Sequence, residues 1–327
     1  MLNGIIKNSQ LNFLSKLDFK RLKDSYSEII TVVAGDFKKH ISTGLLDKSK
    51  KIRSTLLLLF AKNNNCTNKA MYFYGAMLEL IHLASLVHDD IIDNGTQRRG
   101  NQCLHRQWGI HNAILFGDYI YMYVINAILN YPGKNFNKII ASATQQLVRG
   151  EIYQSTRSGA TRTSEEEYID FISDKTGALF MAASYIGTAL CTDNRKLIEA
   201  AGRIGINLGR AFQIKDDLLD IETAKKSVLG KDTYNDIQNG NITLPVIYFI
   251  KNSTSETRTE FKKLFGKRQV DYSRLYGLLE QSGSLEYSQV KAASYIEKAK
   301  RDLCIFPDNV YKKHIYSLLD FIIERKK

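Results

Sequence analysis

Two sets of aspartates carry the chemistry this sequence can do. In Leu86-Val87-His88-Asp89-Asp90-Ile91-Ile92-Asp93 the residue types suit a helix. At about 3.6 residues per turn, Asp89 and Asp93 fall on one face about 6 Å apart along its axis. Two ionised carboxylates so placed repel each other unless a divalent cation lies between them. Hard oxygen donors suit Mg²⁺, which keeps several waters and completes its shell with phosphate oxygens. Alone, such a cluster fits a solvated acidic face equally well. The spacing recurs, however, at Asp216, Asp217 and Asp220 inside the apolar frame Phe212 to Asp220. Aspartates on buried helix faces need partners. Metal ions between two facing helices would supply them, and the molecule between the metals should be anionic, which points to a diphosphate.

Further polar groups accompany the aspartates. Lys48, Lys50, Lys51 and Arg53 precede the wholly apolar helix that follows Thr55. Lys50 and Arg53, three apart, would share one face of its first turn, as a solvated basic turn or as a clamp on a second phosphate. His82 lies two turns before Asp89 on the same stripe and reads as a ligand more readily than as a core histidine. Ala84 and Ser85 are small and leave space beneath the metal site. For His88, anchoring and substrate contact stand equal. Lys175 and Thr176 introduce the small apolar run Gly177 to Ala183, and a lysine at the mouth of a buried helix either seeks an anion or snorkels to water.

The elements that must hold these groups are helical. The chain has 327 residues, three prolines and little period-two alternation, so we expect an all-α fold of long helices forming a single domain over 1–327, with no dividing linker. Amphipathic helices are predicted within 5–39, a long helix over 72–93, a Tyr-rich helix from about Asn112, and a capping-box start at Ser164. A helix over 203–221 should carry the second aspartate set. A polar loop over 223–242 could close over a charged site, and peripheral helices are expected over 284–303 and 309–325. No apolar run approaches ~18 residues, so no membrane span is predicted. The four cysteines lack paired spacing, which suggests neither a disulfide framework nor a zinc site and favours a reducing, cytoplasmic setting. The first 23 residues lack an apolar signal core, and Asp18 argues against a transit peptide. A net charge of +12 is spread along the chain without a nucleic-acid motif. We expect no nucleic-acid partner and at most peripheral attraction to anionic membranes.

These motifs together resemble the trans-polyprenyl diphosphate synthases. The matches run in order through His88 to Asp93 with Arg98-Arg99-Gly100, Gly117-Asp118, Gly150-Glu151 with Gln154, Lys175-Thr176, Gln213 with Asp216 to Asp220, Gly230-Lys231, and Asn235-Asp236 with Thr243-Leu244-Pro245. The resemblance implies an isoprenoid-synthase helix bundle around a central catalytic cavity, usually a homodimer. It also implies Mg²⁺, three ions when the allylic diphosphate is bound, held by Asp89, Asp93 and Asp216 with Asp90, Asp217 and Asp220 in support. Arg98, Lys175, Thr176, Gln213 and Lys231 would hold the allylic diphosphate, and Lys50, Arg53, His82 and Arg99 isopentenyl diphosphate. The reaction so implied is head-to-tail condensation by ionisation, attack of the isopentenyl double bond and proton loss. Within the family a bulky aromatic just before the first aspartates stops elongation early. Ala84 and Ser85 stand there, implying a medium or long product, hexaprenyl to octaprenyl, of the kind that supplies quinone side chains. Two departures are visible: Ser49 and Ser54 replace the usual Gly and Pro around the first basic segment, and Gly240-Asn241 replaces a Gly-Lys pair. A catalytic subunit needing a small regulatory partner, and a shorter-chain synthase, are the alternatives.

Overall fold

The computed structural model describes residues 16–37, 51–98, 100–157, 163–226, 237, 239–267 and 271–325. Lys50, Arg99 and Lys231 therefore lie outside the described residues, as does most of the polar loop. The chain is all-α, as its apolar periodicity implies. The helices in order are α1 (Lys16–Val33), α2 (Ile52–Asn63), α3 (Ala70–Ile92), α4 (Leu104–Trp108), α5 (Ile110–Leu129), α6 (Asn137–Thr156), α7 (Glu165–Ile172), α8 (Ala178–Ala189), α9 (Arg195–Lys226), α10 (Leu244–Asn252), α11 (Ser255–Leu264), α12 (Tyr272–Gln281), α13 (Ser284–Leu303) and α14 (Val310–Glu324). A 3₁₀ turn spans Gly35–Phe37 and a π-helical turn spans Ser173–Gly177. The two-residue strands β1 (Gln97–Arg98) and β2 (Asn101–Gln102) pair antiparallel, Arg98 opposite Asn101. The expected capping box is present, with the Ser164 hydroxyl accepting from Glu167 N and the Glu167 carboxylate accepting from Ser164 N. Helix α9 runs through Lys226, so the loop expected from Thr223 starts later.

Contacts group into two compact units. The first comprises Met1–Thr144, Leu179–Gly205 and Asp302–Leu318. Its centre is α3, which packs against α1, α2, α4 and α5. Every side chain from Leu56 to Ala61 in α2 is buried, as a helix apolar all round requires. Gly187 lets α8 approach α2 so closely that a Cβ there would lie 2.3 Å from the Leu57 carbonyl oxygen. Glu79 of α3 is buried, and its carboxylate accepts from both Ser54 N and Ser54 Oγ at 3.0 Å. A negative charge there satisfies first-turn donors of α2 and opposes the positive end of its dipole. The cysteine expectation is corrected in this unit: Cys66 and Cys191, 125 residues apart, form a disulfide, while Cys103 and Cys304 are free thiols. Spacing could not reveal the bond because the pairing depends on tertiary approach.

The second unit comprises Gln145–Ala178, Ile206–Arg301 and Leu319–Lys327. Here α10 packs on α7 and α12, and α11 on α12. Its core holds Tyr168, Ile172, Leu208, Ile214, Leu218, Phe249, Phe261 and Leu279. Glu165 accepts from Tyr287 at 2.7 Å and pairs with Lys291, joining α7 to α13. Despite the opposing effect of its partial burial, those two partners hold the Glu165 carboxyl below the usual carboxylate range. Among the described residues two helices of the first unit, α3 and α5, are by length and composition apolar enough to cross a membrane. In α3 the apolar stretch is 83% buried within the protein, whereas in α5 it is 33% buried.

Candidate active site

The first aspartate set closes α3. Asp89 and Asp93 are half-buried, and Asp93 caps the helix with its N–H donating to the Asp89 carbonyl at 2.8 Å. Two carboxylates one turn apart repel each other, and the negative end of the helix dipole disfavours both. The pair therefore sits where an added cation gains most. Asp90 turns the other way and is buried; Arg98 Nε donates to its Oδ1 at 2.5 Å. Asn94 in the left-handed region and the β1–β2 hairpin bring Arg98 back to this carboxylate. Arg98, expected on the diphosphate, is thus engaged with Asp90. Burial, together with the Asp90 charge, pushes the Cys103 thiol up to about 12, so it stays protonated.

The structure decides the role of His88. Its Nε2 donates to the Ile114 carbonyl of α5 at 3.2 Å and lies 3.6 Å from Asp118 Oδ1. A Cβ on Gly117 would sit 2.2 Å from that nitrogen. The Gly117-Asp118 pair thereby gains a physical reason: the glycine makes room for the imidazole that ties α3 to α5. His82 is half-buried two turns before Asp89. Ala84 and Ser85 are buried, with Ser85 Oγ donating to the His82 carbonyl at 2.9 Å.

Helix α2 starts at Ile52, preceded by Lys51 in the left-handed conformation; the face expected to be shared by Lys50 and Arg53 involves Lys50, which lies outside the described residues. Lys51 is buried with its ammonium 4.2 Å over the Tyr26 ring. Arg53 is buried with its guanidinium 4.9 Å from the Phe180 ring centroid, a cation–π placement.

In the second unit, Lys175 and Thr176 stand on the π-helical turn Ser173–Gly177, an irregularity frequent at functional sites. Gly150 allows the contact, because a Cβ there would fall 2.4 Å from the Lys175 backbone nitrogen. Lys175 Nζ donates to Gln154 Oε1 at 2.6 Å and pairs with Glu151, both on α6. A relay then reaches the second aspartate set on α9. Thr176 Oγ1 donates to Gln213 Oε1 at 2.6 Å, and Gln213 Nε2 donates to Asp217 Oδ1 at 2.9 Å. The buried Tyr168 hydroxyl donates to Asp217 Oδ2 at 2.6 Å. Asp217 is therefore turned inward, while Asp216 and Asp220 are half-buried. Asp216 Oδ1 accepts from Arg325 Nη2 at 2.6 Å.

Sequence reasoning assigned no role to Tyr168, Glu151, Gln154 or Arg325. Glu151 and Gln154 were visible as motif residues; Tyr168 carried only the general signal that a buried tyrosine hydroxyl needs a partner. Among the described residues no three carboxylate, imidazole or thiol side chains converge as a metal cage. Aspartate-only donor pairs nevertheless fit Mg²⁺, which takes few protein ligands and the rest from water and phosphate.

Residues 36–281 match the polyprenyl synthetase family model. The geranylfarnesyl diphosphate synthase of Aeropyrum pernix is 33% identical over 264 residues, covering 77% of this chain and 82% of that one. The geranyl-diphosphate-specific all-trans-nonaprenyl-diphosphate synthase of Rhodobacter capsulatus is 28% identical and covers 93% and 92%. The polyprenyl synthase of Caulobacter crescentus CB15, solved with calcium and isoprenyl diphosphate, superposes with a TM-score of 0.83 at 29% identity over 98% of each chain.

Proposed function

We propose, given that this chain belongs to the polyprenyl synthetase family of trans-prenyltransferases with the isoprenoid synthase fold, that it extends an allylic diphosphate to a medium or long all-trans product as one catalytic domain. The observation that carries the site reading is the placement of Asp89 and Asp93 at the negative end of α3. Asp89, Asp93 and Asp216 would hold Mg²⁺, with Asp90, Asp217 and Asp220 in support. Bound there, the cation supplies positive charge against the charge developing on the departing diphosphate.

The protein's own groups do the rest. Arg98, Lys175, Thr176, Gln213 and Lys231 bind the allylic diphosphate. Glu151 and Gln154 keep the Lys175 ammonium aimed, and Tyr168 keeps Asp217 from turning. Lys50, Arg53, His82 and Arg99 bind isopentenyl diphosphate and set its double bond against the allylic carbon. The cation formed on C–O cleavage would be captured by that double bond, and a proton would then be lost to the released diphosphate. No side-chain nucleophile is required.

The small side chains of Ala84 and Ser85 support an elongating chain that passes beneath the first aspartates. Helix α5 exposes Ile110, Leu115, Met122, Ile125 and Leu129, an apolar face that supports a homodimer. The family supports an enzyme with at most peripheral membrane contact, whereas the Cys66–Cys191 disulfide removes the cysteine argument for a reducing, cytoplasmic setting. Incubating the purified chain with farnesyl diphosphate, isopentenyl diphosphate and Mg²⁺ tests the reading, with product length from mass spectrometry and oligomeric state from light scattering. A hexaprenyl to octaprenyl product is expected. A geranylgeranyl-sized product would overturn the length reading, and no product would favour a catalytic subunit that needs a small partner.

A further inference from the structure

We infer that Arg325 is a positioning residue for Asp216: it fixes one oxygen of that carboxylate so that the other faces the metal in a set direction. The inference rests on Asp216 being a Mg²⁺ ligand. Arg325 follows α14, close to the end of the chain, yet its side chain is only 4% exposed while that of Asp216 is 42% exposed. Its Nη2 donates both to Asp216 Oδ1 at 2.6 Å and to the Phe212 carbonyl at 2.9 Å. The guanidinium carbon lies 4.0 Å from the Phe212 ring centroid. Three contacts on one planar cation leave it a single placement.

Burial decides that this pairing outlasts metal binding. A buried guanidinium stripped of its carboxylate costs several kcal/mol, so Arg325 does not withdraw when a cation reaches Asp216. The repulsion between arginine and cation is tempered because the carboxylate lies between them and is partly open to water. What the arginine contributes is direction. Hydrogen bonds to ligating carboxylates are worth about 10–100-fold in metal affinity or activity. Asp217 next to it is held on both oxygens by Tyr168 and Gln213. The two neighbours are thus held by different groups, Asp217 by Tyr168 and Gln213 and Asp216 by Arg325.

The test uses full-length Arg325→Gln, which deletes the charge but keeps an amide donor for Phe212, and Arg325→Lys, which keeps the charge. Binding of inorganic pyrophosphate is measured by calorimetry across a Mg²⁺ series, well below each variant's melting temperature. We expect R325Q to require at least ~10-fold more Mg²⁺, R325K to recover most of that loss, and the KM for isopentenyl diphosphate to stay unchanged. Wild-type Mg²⁺ dependence in R325Q overturns the inference. Equal loss in R325Q and R325K also overturns it, since the arginine would then serve only to seat the end of α14. Asp216→Asn separates the two readings: if it too binds Mg²⁺-pyrophosphate normally, the metal-ligand assignment fails. If it alone loses binding, only the role of Arg325 fails.

Discussion

Gly150→Ala should impair the enzyme more than it destabilises it. The added methyl would meet Lys175 N at 2.4 Å and Lys175 Cα at 2.7 Å. Ordinary carbon contacts begin near 3.4 Å, so α6 and the π-helical turn must separate by about 3.4 − 2.4 = 1.0 Å. Backbone, unlike a flexible side-chain end, cannot swing away. Overpacking of this kind costs about 1–3 kcal/mol, and replacing a helical glycine by alanine returns up to ~1 kcal/mol. The net loss of stability is therefore about 0–3 kcal/mol, and the variant should fold. Its Lys175 ammonium, however, is aimed by Glu151 and Gln154 on the same helix as the new methyl. A displacement near 1 Å at a substrate-positioning group costs about 10²-fold in rate. Thermal melting and steady-state kinetics with the allylic diphosphate varied would check this. Wild-type kcat/KM in a folded G150A would refute the reasoning, because Lys175 could then move an ångström without consequence.

Three other perturbations follow from the same geometry. Tyr168→Phe removes one of the donors to buried Asp217 and should cost about 1.5–3 kcal/mol, read as a lower denaturation midpoint; an unchanged midpoint would remove Tyr168 from the support of the motif. Ala84→Phe or Ser85→Phe should shorten the product by filling the space beneath the first aspartates, and unchanged product lengths by mass spectrometry in both variants would contradict that. His105 is buried and neither ring nitrogen has a hydrogen-bond partner among the described residues; burial, helped by Arg106, lowers its pKa. The unfolded chain therefore binds this proton at higher pH than the folded one. Stability from this group is present above the ordinary histidine pKa near 6.5 and is lost as pH falls below it, with a slope of at most ~1.4 kcal/mol per pH unit. His105→Gln should flatten the melting profile between about pH 7 and pH 5, and parallel profiles would count against it.

How far the site could be read in advance differed residue by residue. Asp89 and Asp93 were legible because helical periodicity alone puts residues four apart on one face. The long helix bearing them and the capping box at Ser164 followed from local signals that need no tertiary partner. Arg53 was legible as a cation but not as one stacked on Phe180, since the partner lies more than a hundred residues away. His88 stood undecided until Gly117 was seen to vacate the space its ring occupies.

The sequence by itself determined the helical class and the spacing within each aspartate set, which are encoded within a few residues of one another, and the order of the motifs, which is read directly along the chain. Tertiary structure alone decided that Cys66 joins Cys191, that Tyr168 and Gln213 hold Asp217, and that Arg325 reaches Asp216. Those contacts join residues brought near by packing, or sides of a carboxylate chosen by its surroundings, and no local propensity records either.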